Sequence, residues 1–127
     1  MLAKANRITT ADDYKGVVRR GRRYVTAHFV TYVRSGAEVQ TSAARGARFG
    51  FIVAKTVGGA VQRNRVRRRL KAATFALLDQ VPSGADVVIR ALPGSSDISW
   101  DTVQSEVSTS LRRSSNHGAA RRSEVAS

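Results

Sequence analysis

The densest chemistry in this chain lies in QRNRVRRRLKAA, Gln62 to Ala73. Arg63, Arg65, Arg67, Arg68, Arg69 and Lys71 all fall within nine positions there. Guanidinium groups are always charged and present a planar fork of donors that matches phosphate oxygens two at a time. Like charges at i, i+4 helical spacing repel by a few tenths of a kcal/mol per pair, so such a run suits a polyanionic partner. No acid follows until Asp79. Lys55 stands just ahead of the run, within reach of a phosphate near it. A second basic group, RRGRR, holds Arg19, Arg20, Arg22 and Arg23, and a third combines Arg112 and Arg113 with Arg121 and Arg122. A solvated surface helix is the ordinary reading of a charge run, but a surface built only for solubility mixes both signs.

Hydrolytic chemistry has little to work with. There is no cysteine, which excludes disulfides, thiolate metal sites and a thiol nucleophile. His28 and His117 are far apart in sequence, and metal sites need clustered ligands. Asp12 and Asp13 suit the first turn of a helix, where the dipole favours negative charge. Asp97 and Asp101 flank a helix start, and Asp86 opens a strand. No catalytic residue and no metal site is expected; a role in a reaction would consist of positioning a substrate. Tyr14 and Tyr32, with arginines nearby, could form a stacking platform for unpaired bases. They would serve equally as ordinary core aromatics.

Composition points the same way. The 127 residues carry a net charge of +13, with 18 arginines against 4 lysines, and the pI is 11.6. Nucleic acid is the first partner implied, with an acidic membrane surface second. No apolar run approaches the roughly 18 residues of a membrane span. The N-terminus, MLAKANRITTADDYKG, has neither the apolar stretch of a secretory signal nor the character of a transit peptide. The absence of cysteine fits a reducing cytoplasm. The length suits one domain.

These side chains must be held by a frame, and the frame is readable in outline. Thr10 is placed to cap a helix from Ala11 to Arg20, with Gly21 as its stop. Arg22 to Arg34 reads as β structure, with Val25, Ala27, Phe29 and Val33 on one face and Tyr24, Thr26, His28, Val30 and Tyr32 on the other. SGAEVQTSAARGA is a long connection of small residues. RFGFIVAK, Arg48 to Lys55, is dense enough in apolar residues to be a central strand. From Gln62 the period turns helical, with Val66, Leu70, Ala73, Leu77 and Val81 in one stripe and Pro82 and Gly84 closing the helix. DVVIRAL, Asp86 to Leu92, is another buried strand. Ser99 caps a last helix with Trp100, Val103, Val107 and Leu111 as its buried stripe. The order is α-β-β-β-α-β-α, an α+β sandwich with a parallel strand pair around the middle helix and the helices gathered on one face. Residues 1–113 read as a single domain suited to nucleic acid, and 114–127 read as a disordered basic tail.

RFGFIVAKTVGGAVQRNRVRRRL closely resembles the signature region of the bacterial ribonuclease P protein component: a strand, a lysine-containing V-G turn, then A-V-x-R-N-R-hydrophobic-[KR]-R. DDYKGVVRRGRR resembles the family's first helix, HFVTYV its following strand and DVVIRALP its last strand, so the likeness spans roughly residues 7 to 113. It implies a two-layer α–β sandwich like the second domain of ribosomal protein S5, with a left-handed strand–helix–strand crossover. It implies a protein, monomeric without RNA, that pairs with a large catalytic RNA to remove the 5′ leader of precursor tRNA. The RNA and its Mg²⁺ would do the chemistry, and the protein would bind no cofactor. By position, the resemblance implies that Lys55, Arg63, Asn64, Arg65, Arg67 and Arg68 meet the catalytic RNA. Tyr14, Val18 and Tyr32 would line the leader cleft. The family usually has Phe where this chain has Val18, and often Lys where it has Thr56. Two other functions compete on sequence grounds: a general RNA-binding or ribosome-associated module on the same fold, and, far less supported, a stand-alone nuclease.

Overall fold

The computed structural model describes residues 4–34, 46–81 and 84–126, with side chains from Ala5 to Ser114. Its main elements are α1 (Ala11–Arg20), β1 (Arg22–Val25), β2 (Phe29–Arg34), β3 (Arg48–Ile52), α2 (Ala60–Ala76), β4 (Asp86–Ala91) and α3 (Trp100–Ala126). The order is the expected one. The expected small-residue connection falls almost wholly outside the described residues.

The four strands form one sheet in the order β1-β2-β4-β3. β1–β2 and β2–β4 are antiparallel, while β3 and β4 run parallel. A parallel pair needs a crossover, and α2 supplies it. On one face Phe29, Phe49, Val87, Ile89 and Ala91 of the sheet meet Val66, Leu70 and Ala73 of α2 and Val103, Val107 and Leu111 of α3. Burying a leucine or phenylalanine side chain there contributes ~1.5–3 kcal/mol, so this face holds most of the stability. Trp100 departs from its expected stripe: it starts α3 and is 36% exposed.

α1 does not join the other helices. It lies on the second face, where Val17 packs with Tyr32, Val88 and Ile8, and Tyr14, Val30 and Ile52 close around them. The expectation of all helices on one face therefore fails for α1. Its three positions Tyr14, Val17 and Val18 form a separate apolar stripe that finds its own side of the sheet. Ile8, in a stretch that reads as merely polar, is buried because its N–H donates to Phe49 O at 2.8 Å and carries the side chain inward.

Caps behave as their residue types dictate. Thr10 Oγ1 accepts from Asp13 N at 3.2 Å, and Ser99 Oγ accepts from Thr102 N at 3.2 Å. Gly21 ends α1 for a different reason than a left-handed stop. Its φ is −74°, and a Cβ there would lie 2.5 Å from Val17 O. α2 ends at Ala76 and tightens into a 3₁₀ turn at Leu78–Gln80 rather than running to Val81, a common way for a helix to finish. Leu77 and Val81 still pack against the core. α3 continues to Ala126, where disorder is expected from 114 onward. Ser, Ala and Arg are the commonest residues of that stretch, and it holds one glycine, Gly118. Among residues with described side chains, Leu111 is the last of α3 in the core.

Candidate nucleic-acid interface

α2 carries its charges on the side away from its buried seam. Val66 and Leu70 are 2% and 0% exposed, whereas Asn64, Arg65 and Arg68 are exposed and Arg63, Arg67, Arg69 and Lys71 are half-buried on the flanks. Two of these arginines have structural ties. Arg67 Nη1 donates to Asn64 Oδ1 at 3.0 Å, which ties the two side chains together. Arg69 Nη1 donates to Ile98 O at 2.7 Å and pins the helix to the segment before α3. No cation of α2 is ion-paired among the described residues. Val61, Asn64, Arg67, Arg68 and Lys71 line a shallow, open depression.

The turn ahead of α2 sets where Lys55 stands. Lys55–Val57 is one 3₁₀ turn, and Val57 is buried as its anchor. Gly58 follows at φ 154°, ψ −169°, a region open essentially to glycine. Lys55 and Thr56 are exposed beside the start of α2.

The second group of expected residues lies on the opposite face. Directly paired strand residues share a face, so the registers give its rows. One row is Arg34, Asp86 and Arg48. The next is Arg23, Tyr32, Val88 and Gly50. The third is Val25, Val30, Arg90 and Ile52. α1 covers the first two rows in part. Arg48 donates to both carboxylate oxygens of Asp86 at 2.9 Å and to Asp13 of α1 at 3.3 Å, and Arg34 reaches Asp86 at 3.3 Å. The hydrogen bond to Asp86 is the main reason the Arg48 guanidinium holds its proton even more firmly than usual. Tyr14 lies on Gly50, and its hydroxyl accepts from Phe51 N at 3.2 Å.

α1 thus forms a wall beside an uncovered third row. Tyr14 is half-buried, Tyr32 is 9% exposed, and Val18 is 36% exposed at the wall's rim. Tyr14 and Tyr32 do meet in one cluster with Val17. Tyr32 is engaged mostly in packing, so its role is as floor more than as a free ring. Val25, expected on the core side with Phe29, turns up on this open face at 50% exposure, because the chain turns at residues 26–28. Alternation already sets Val30 on the face of Tyr32, but Val25, Ile52 and Arg90 are floor residues that it did not assign. Only the strand pairing reveals them.

Among the described residues, no group of three or more His, Cys, Asp or Glu is placed to hold a metal ion. His28 Nδ1 donates to Glu106 Oε2 at 2.6 Å, and the His28 N–H donates to Oε1 at 2.8 Å. Both carboxylate oxygens of Glu106 are therefore used in tying the β1–β2 turn to α3.

An arginine-covered helix without acids on one face and a walled apolar floor on the other define a class: small basic α+β proteins built against a polyanion. A family model described as Ribonuclease P matches residues 2–115. The ribonuclease P protein component of Clavibacter michiganensis subsp. michiganensis is 47% identical over 113 residues, covering 89% of this chain and 96% of that protein. That of Streptomyces bikiniensis is 40% identical over 116 residues, covering 89% and 94%. The fold is shared with the RNase P protein of Staphylococcus aureus, at TM-score 0.74 and 22% identity over 87% of this chain and 96% of that one. It is shared too with the Thermotoga maritima RNase P protein, at TM-score 0.71 and 21% identity over 84% and 96%. The chain belongs to the ribonuclease P protein family.

Proposed function

We propose that this chain is the protein subunit of ribonuclease P, working in the cytoplasm with a catalytic RNA to remove the 5′ leader from precursor tRNA. The observation that carries this reading is the α2 face, whose cations have no acid partner among the described residues and whose chain belongs to this family. Lys55, Arg63, Asn64, Arg65, Arg67 and Arg68 dock the RNA subunit. Phosphates are neutralised there without a metal held by the protein, and Mg²⁺ serves the chemistry of the RNA. Tyr14, Val18 and Tyr32 belong to the cleft for the single-stranded leader, on the other side of the sheet. The protein contributes binding and orientation, and no nucleophile or general base. With +13 charges, it offsets repulsion between catalytic RNA and substrate, so its effect is greatest where Mg²⁺ is scarce.

The test is reconstitution. Purified protein added to a bacterial ribonuclease P RNA at low Mg²⁺ is expected to raise the rate of 5′ leader removal. Absence of stimulation would refute the reading, and cleavage by the protein without RNA would replace it with a nuclease.

A further inference from the structure

β4 is central in the sheet, and five of its six residues are buried; the sixth is Arg90. An arginine there is hard to explain as packing. Arg90 projects from the open row between Val30 and Ile52, with Val25 beyond Val30. Its sheet neighbours on that face are apolar. The acid on the same strand face, Asp86, is 0% exposed and engaged by Arg34 and Arg48. The Arg90 side chain has no hydrogen bond or ion pair among the described residues. Solubility alone would not need a lone cation here, since the chain already carries a large excess of positive charge.

Register places Arg90 beside the expected leader cleft. Tyr32 pairs with Val88, two residues before Arg90. Such diagonal neighbours lie roughly 7–8 Å apart, within reach of long and aromatic side chains. A base resting against the apolar strip near Tyr32 would present its hydrogen-bonding atoms to the guanidinium. A phosphate would sit less well there, since the immediate surroundings are valine and isoleucine rather than further cations. The fork of an arginine fits two adjacent acceptors, which guanine offers in O6 and N7.

We propose that Arg90 is a specificity-determining residue that reads a guanine in the single-stranded leader. This rests on the leader-cleft reading of Tyr14, Val18 and Tyr32. The test uses the reconstituted holoenzyme and precursor tRNAs whose all-uridine leaders carry one guanosine, moved position by position. Wild type is expected to bind one of these about tenfold tighter than the all-uridine leader. Arg90→Met should abolish that preference. Arg90→Lys, which keeps the charge and loses the fork, should abolish most of it while leaving the salt dependence of binding intact. Equal weakening of all leaders by Arg90→Met, with a salt slope smaller by about one, would mean a phosphate contact and overturn base reading. So would a preference that survives Arg90→Met, or no preference in wild type. If wild type binds precursor and mature tRNA alike, the leader cleft itself fails, and that failure is distinct from loss of base preference in an enzyme that still favours precursor.

Discussion

A methyl group at Gly50 would lie 2.5 Å from Tyr14 Cε1 and 2.8 Å from its hydroxyl oxygen. The ring is tied down by Phe51 N, so it cannot yield without losing that hydrogen bond. Gly50→Ala is expected to push Tyr14 off the sheet, costing ~1–3 kcal/mol of stability. It should weaken binding of precursor tRNA several-fold and leave mature tRNA binding unchanged, as read by comparing the two affinities in the reconstituted complex. That Tyr14 and Val18 share the apolar side of α1 is legible from helical spacing, and their expected place in a leader cleft comes from family likeness. The role of Gly50 is not, because nothing in RFGFIVAK says which residue of another element lands on it. Ile8 is hidden for the same reason: its burial comes from a backbone hydrogen bond to Phe49, far along the chain.

α2 is the most legible element, because its seam and its charges follow a single period over four turns. Its exposed cations make a clean prediction. Arg65→Ala with Arg68→Ala should weaken binding to the ribonuclease P RNA. The slope of log K against log salt should fall by about one for each phosphate no longer neutralised. Fold stability should be nearly unchanged, since both residues are exposed. A change in stability with an unchanged slope would place these arginines away from the RNA. The β1–β2 hairpin is legible only as β structure. Its turn, Thr26–His28, lacks an Asn-Gly or Gly-Gly signal. It is closed instead by Thr26 N donating to Phe29 O at 2.9 Å and by the Glu106 carboxylate. A turn held by a residue 78 positions away cannot be read locally, and unbroken alternation through it puts Val25 on the wrong face.

At the scale of the whole molecule, a polar cluster among the described residues locks a helix to each side of the sheet. On the α3 side, burial would raise the pKa of Glu106, but hydrogen bonds from His28 and Thr26 prevail and hold it below the usual 4.5. A depressed carboxylate contributes stability that is full above its unfolded value and is lost as pH falls through the folded one. Denaturation followed from pH 7 downward should therefore show stability falling below about pH 4.5. Glu106→Gln should be less stable at pH 7 and flatter in acid. Equal pH slopes for the two proteins would remove this account. On the α1 side, Asp86 holds Arg34 and Arg48 from a fully buried position, and through Arg48 it holds the helix that walls the cleft.

The hydrogen bond from Ile8 N to Phe49 O, with the bridge between Arg7 and Phe49, has a consequence beyond burying one isoleucine. A sheet ends in two edges, and each is a template on which another chain can add a strand. Here the N-terminal segment occupies part of the β3 edge. The other edge, β1, is four residues long and begins with Arg22 and Arg23. A second copy docking there would crowd the arginines of both copies into one short seam, so the charges that suit the protein to RNA also guard its sheet against its own kind.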